Sequence, residues 1–194
     1  MGDFHKIRPF KILAVVMATV AVVLTVISLA GPDWVSVKFY EGKLQKSWGL
    51  WWECWRVHVS FEMCVGADWL AGCAAMVFLA LIADAIATIM GLWGLFVKRR
   101  LPYVLAGVLC IIAAMFHIIS LIIYPVKFTA EVTGNDDNKA ETAQFVFDWT
   151  YGIAWGAVIF LVGATVFFFI RVRDEDNAQP MKVMADKPTV YYQP

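Results

Sequence analysis

Four long apolar runs divide the chain, and its polar residues gather in the stretches between them. Ile12–Ala30 is uncharged throughout. Leu70–Val97 carries one acid, Asp84, and within Tyr103–Tyr124 the ionising side chain of note is His117. Tyr151–Ile170 is again uncharged and closes on Phe167, Phe168 and Phe169. About 20 predominantly apolar residues cross about 30 Å of hydrocarbon as a helix, so each run predicts a transmembrane span. What remains is an N-terminal segment 1–11, loops at 31–69 and 125–150, a short connection at 98–102 and a tail at 171–194. The short connection makes spans two and three antiparallel neighbours.

In the first loop the apolar period changes from helical to alternating. Val35, Val37 and Phe39 alternate with polar residues, and Glu41-Gly42-Lys43 reads as a turn. Trp48-Gly49-Leu50-Trp51-Trp52 reads as a second strand. Between Cys54 and Cys64, the apolar set Trp55, Val57, Val59, Phe61 and Met63 alternates with Arg56, His58, Ser60 and Glu62. The expected fold is therefore an all-α membrane protein: a left-handed four-helix transmembrane bundle with a small extracellular antiparallel β-sheet in its first loop.

Composition narrows the function. Of 194 residues, 61% are apolar and 16% charged, against roughly 45–50% and 25% in soluble domains. Sixteen bases balance sixteen acids, so no basic excess recruits nucleic acid. Three histidines, and no C-x-x-C, H-E-x-x-H or G-x-S-x-G, argue against an enzyme, a bound metal, a cofactor or a small-molecule substrate. The first run follows Lys6, Arg8 and Lys11 as a secretory signal would, but it exceeds the 7–15 residues of a cleaved signal core and is expected to be retained.

Those three bases, Lys98-Arg99-Arg100, and Arg171 with Arg173 fall on one side of the predicted spans. The positive-inside rule makes that side cytoplasmic and places both termini there. Trp34, Trp69, Tyr124 and Trp149 then mark the outer boundary as an aromatic belt.

Within the spans, small residues four apart predict close helix approach: Ala14 with Ala18, Ala106 with Cys110, and Gly152 with Gly156. Intramolecular packing is the expectation, with a homodimer face as the alternative. Asp84 and His117 are the intramembrane polar candidates, because charge in hydrocarbon is costly. Depth counted from the inner helix ends leaves a direct or water-bridged contact between them open. The preferred reading is a neutral, structural Asp84 hydrogen-bonded to a neighbour such as Thr88. Cys73 and Cys110 read as packing residues. Cys54 and Cys64 face the oxidising side, so a disulfide is their first assignment. A metal site with His58 is the alternative and lacks a fourth ligand. Nothing between the two cysteines explains the reversal that a disulfide needs.

Trp34, Gly49-Leu50-Trp51, Cys54 and Cys64, in the first loop of a four-span chain, resemble the signature of the claudin and peripheral myelin protein superfamily over residues 10–170. The resemblance implies a Cys54–Cys64 disulfide and a Gly-Leu-Trp segment that stabilises the sheet near the membrane. Only Val65, Gly66 and Ala67 separate Cys64 from Asp68-Trp69, which is shorter than in barrier-forming claudins. That shortening implies a weakened last strand, and with it weakened lateral contacts and pore lining. With Tyr124–Phe128 and Phe147–Gly156, the chain is similar to the brain cell membrane protein branch, also called transmembrane protein 47.

That branch implies a non-enzymatic plasma-membrane protein of cell–cell junctions that organises adherens junctions and their link to cortical actin. Its expected partners are the lipid bilayer, junctional membrane proteins and cytoskeletal adaptors, with a homo-oligomer left open. A claudin-type paracellular barrier and an accessory subunit of a channel or receptor are the alternatives. The polar tail, with Pro180, Pro188 and a Tyr191-Tyr192-Gln193-Pro194 end, is expected to be disordered and lacks a common PDZ ligand.

Overall fold

The computed structural model describes residues 9–39, 44–57, 61–66, 68–97, 100–134 and 144–185. Helix α1 spans Pro9–Ala30, and strands β1 Val35–Phe39, β2 Leu44–Trp48, β3 Glu53–Val57 and β4 Phe61–Val65 follow. Helices α2 Asp68–Phe96 and α3 Leu101–Gly134 come next, then β5 Gln144–Phe147 and α4 Trp149–Ala185. All four helices contain a stretch long and apolar enough to cross a membrane. The protein is a four-helix membrane bundle carrying a small antiparallel sheet at one end.

Local chemistry sets the helix ends. α1 opens on Pro9, whose missing N–H costs nothing in the first turn, and α2 opens on Asp68, an acid at the positive end of the helix dipole. α2 packs most extensively on α3, and α1 on α4. The deep core is built from alanines, among them Ala14, Ala18 and Ala106, with Cys110 buried beside them. Two of the predicted small-residue pairs therefore face inward. The third pair is split: Gly152 is exposed, whereas Gly156 is half-buried, and a Cβ there would meet Leu24 Cδ1 of α1 at 3.6 Å. The buried face of α4 runs through Ala154, Ala157, Leu161, Ala164 and Phe168. At 3.6 residues per turn, Gly152 lies on the opposite side from Ala154.

The sheet order is β4-β3-β2-β1-β5, antiparallel throughout. Four differences from the sequence expectation matter. β2 ends at Trp48, so Gly49–Trp52 forms the connection to β3 rather than a strand. β5 comes from the second loop and pairs with β1 from Val35↔Phe147 to Lys38↔Gln144. β4 forms as a five-residue strand despite the short link to α2, so the last strand is not lost. α3 runs ten residues past Tyr124 with Pro125 inside it.

α4 also continues to Ala185, so part of the segment expected to be disordered is helical. Growing an existing helix needs no new nucleus, and no glycine or proline interrupts it until Pro180, which lies inside the continuation. The predicted turn at residues 41–43 and residues 186–194 of the tail lie outside the described residues.

Candidate functional site

The membrane-proximal collar, where the sheet meets the bundle, gathers the signature residues. A helix leaves its last four carbonyls without intrahelical donors. At the end of α1, the Ile27 carbonyl accepts from the Gly31 N–H at 2.9 Å. The Ser28 carbonyl accepts from the Trp34 indole N–H at 3.0 Å, and the Leu29 carbonyl accepts from the Trp51 indole N–H at 2.9 Å. Two tryptophans from different parts of the first loop thus cap one helix.

Trp34 is fully buried and packs at a tilt against Tyr124, with ring centroids 4.8 Å apart. Tyr124 also approaches Trp69, at 5.5 Å. Trp34 and Tyr124, expected in the aromatic belt, instead form the core between sheet and helices; their polar tips find protein partners rather than headgroups. Trp149 does stand exposed.

The Gly49-Leu50-Trp51 turn is held from both sides. The Tyr124 hydroxyl lies 3.1 Å from the Trp48 carbonyl and 3.3 Å from that of Gly49, and shares its single proton between them. The Gly49 N–H closes the turn on the Trp52 carbonyl at 2.9 Å. A Cβ at Gly49 would stand 2.5 Å from the Pro32 carbonyl oxygen, so only glycine lets the turn lie against the α1–β1 connection. Leu50 is buried in the same cluster.

A second set of contacts fastens α4 to the same point. The Ser28 hydroxyl donates to the Thr150 carbonyl at 3.1 Å, and the Thr150 hydroxyl donates to the Asp33 carbonyl. The Asp148 N–H donates to the Trp34 carbonyl at 2.9 Å, while the Asp148 carboxylate accepts from the Ser36 hydroxyl at 3.0 Å. The sequence reading gave no structural role to Ser28, Ser36, Asp148 or Thr150, although the last two fall within the Phe147–Gly156 stretch. An Asp immediately before an apolar helical run is a start signal that would have singled out Asp148.

Farther out, β3 and β4 place Cys54 directly opposite Cys64, with Cα atoms 4.1 Å apart, and the two are disulfide-bonded. With both sulfurs in that bond, neither remains a thiolate for a metal site with His58, which itself lies outside the described residues. The unexplained chain reversal falls at residues 58–60, also outside them. Lys46 pairs with Glu53 and sits over the Trp48 ring at 4.3 Å, tying β2 to β3 near the turn.

The intramembrane candidates do not meet. The Ser120 hydroxyl donates to the Cys73 carbonyl at 3.1 Å and so sets the register of α3 against α2. Counting along antiparallel helices from that contact puts Asp84 level with Cys110, and His117 roughly 10 Å nearer the sheet. His117 Nε2 instead lies 3.4 Å from the Thr25 hydroxyl on α1. That hydroxyl gives its proton to the Ala21 carbonyl at 2.8 Å, so Nε2 is the donor in this contact. Asp84 is fully buried, but neither its carboxyl oxygens nor the Thr88 hydroxyl finds a partner, so the expected Asp84–Thr88 hydrogen bond is absent. Cys73 and Cys110 are buried free thiols. Among the described residues, no three His, Cys, Asp or Glu side chains converge as a metal site.

Four apolar spans, a disulfide-clasped sheet and an indole-capped collar define a multi-pass membrane protein whose sheet is fastened to its helix ends. The description PMP-22/EMP/MP20/Claudin family matches residues 10–168, and the chain belongs to that family. It is also similar to a zebrafish (Danio rerio) protein described as "p53 apoptosis effector related to PMP-22", at 32% identity over 113 residues. That match spans 57% of this chain and 56% of the relative, a little over half of each.

Proposed function

We propose that the protein is a non-enzymatic component of cell–cell junctions at the plasma membrane. In this reading both termini are cytoplasmic, and the chain belongs to the brain cell membrane protein branch. It organises adherens junctions and their link to cortical actin, with junctional membrane proteins and cytoskeletal adaptors as partners.

The observation that carries this reading is the collar. Trp34, Trp51, Tyr124 and Thr150 couple the sheet to the ends of α1, α3 and α4, so an outward-facing surface is held rigidly relative to the membrane. A surface held in that way suits contact with other proteins. The clustered bases at 98–100 and 171–173 support the cytoplasmic placement of the other end.

Formation of β4 favours a second reading, the paracellular barrier, because a five-stranded sheet supplies the outer strand that a shortened loop was expected to lack. Endogenous tagging in a polarised epithelium separates the two. Overlap with cadherin, and no rise in transepithelial resistance on expression in claudin-deficient cells, is the expected result. Continuous intramembrane strands with a steep rise in resistance would establish the barrier reading instead.

A further inference from the structure

Threonines inside these helices follow one pattern. Thr19, Thr25 and Thr165 each donate to the carbonyl four residues back, at 2.8–2.9 Å. This is the ordinary way for a hydroxyl to be satisfied inside a helix. Thr88 departs from it. Its Oγ1 is buried and has no partner, although the Asp84 carbonyl stands at the same four-residue offset. One turn away, both Asp84 carboxyl oxygens are buried and unpartnered as well. Three polar oxygens on one face of α2 therefore lie within the bundle with nothing from the protein to bind.

Leaving such groups dry is costly, because hydrocarbon offers no substitute for a hydrogen bond. The facing helix brings no oxygen or nitrogen of its own to them. At that level, counted from the Ser120–Cys73 contact, α3 presents the buried Cys110. The surrounding core is made of small side chains, including Ala80, Ala87, Ala106 and Ala113.

We propose that Asp84 and Thr88, facing Cys110 across the α2–α3 contact, form an internal hydration site that holds ordered water near the middle of the bundle. Water suits this donor set. A buried water bonds two to four polar partners and needs only about one probe sphere of space. A divalent cation would demand about six or more oxygen ligands, and here one carboxyl and one hydroxyl are offered. The water bridges Asp84 to Thr88, which explains how both remain inside without the direct hydrogen bond expected between them. It also makes the contact between α2 and α3 partly polar at a level otherwise packed by alanine.

Water-edited solid-state NMR on the full chain in lipid bilayers tests this. Aspartate, threonine and alanine are labelled, and Asp84→Asn and Thr88→Val assign the two signals. The Asp84 and Thr88 side chains should take up polarisation from water severalfold faster than the buried alanine methyls. Thr88→Val should slow uptake at Asp84, and Thr88→Ser, which keeps the hydroxyl, should preserve it. If Thr88→Val does not fold, the wild-type rates and Thr88→Ser still decide. Uptake as slow as at the alanines would overturn the proposal. So would an Asp84 carboxyl signal that moves with sodium concentration at constant ionic strength, which would assign the site to a cation.

Discussion

The Tyr151 hydroxyl on α4 donates to the Leu121 carbonyl on α3 at 3.0 Å. That carbonyl is the one left without its helical donor by Pro125, which stands four residues on and has no N–H. A proline that would end a helix elsewhere is thus tolerated because a neighbouring helix replaces the missing bond. Beyond it, the Thr129 hydroxyl bonds the Pro125 and Val126 carbonyls at 2.9 and 3.0 Å, and α3 continues toward the sheet.

The pairing of Tyr151 with Pro125 makes a double-mutant prediction. Tyr151→Phe strands the Leu121 carbonyl and should destabilise the fold by about 1–3 kcal/mol. Pro125→Ala restores an N–H at position 125, so the same tyrosine substitution in that background should cost much less. Thermal unfolding in detergent of the four variants measures the coupling. Equal, nonzero costs in both backgrounds would mean that the hydroxyl's contribution does not depend on the missing N–H. No cost in either would mean that the tyrosine acts only through its ring, which stacks with Phe147 at 4.7 Å.

Gly49→Ala should be disproportionately harmful for one methyl group. Its Cβ would press on the Pro32 backbone, which cannot rotate aside as a side chain can. Overpacking of this kind costs about 1–3 kcal/mol. Gly72→Ala is the control, because a Cβ there meets nothing within 4 Å. Surface delivery and unfolding temperature should fall for the first variant and hold for the second.

The spans were legible because hydrocarbon as a solvent imposes a uniform, one-dimensional requirement on about 20 consecutive residues. The sheet was only partly legible. Trp48 to Trp52 has strand-forming side chains, yet its backbone turns, because Gly49 packs against Pro32 and Tyr124 takes the carbonyls of Trp48 and Gly49. Those partners are distant in sequence, and propensity does not register them. β5 is four residues long and pairs with a strand more than one hundred positions away, so nothing local announces it. Asp84 and His117 are both buried among the helices, but depth counted from span ends brought them too close together. The Ser120–Cys73 contact, which separates them, is a tertiary fact.

The two indole caps on α1 should differ in weight. Trp34→Phe removes a donor from a fully buried site and leaves the Ser28 carbonyl unpaired, at a cost of about 1–3 kcal/mol. Trp51→Phe removes an equivalent donor from a side chain that is 44% exposed, where water or headgroups can take over at the Leu29 carbonyl. Its cost should be about 1 kcal/mol or less. Unfolding of the two variants side by side measures the difference, and a larger effect at Trp51 would contradict the burial argument.

The disulfide should act locally. β4 is an edge strand that pairs only with β3, and the Cys54–Cys64 bond clasps that pair at its directly opposed position. β1, β2 and β5 are held independently by the collar. Cys54→Ser should therefore destabilise the β3–β4 hairpin by about 2–3 kcal/mol, the chain-entropy value for a short closed loop. Hydrogen exchange should speed up at β4 amides well before it does in β1 or α3. Cys54→Ser with Cys64→Ser should cost no more than either alone, because the loss is of one crosslink rather than of two side chains. Non-reducing peptide mapping of the wild-type chain should recover the 54–64 crosslink, and finding both cysteines as free thiols in surface-delivered protein would remove the basis of the prediction.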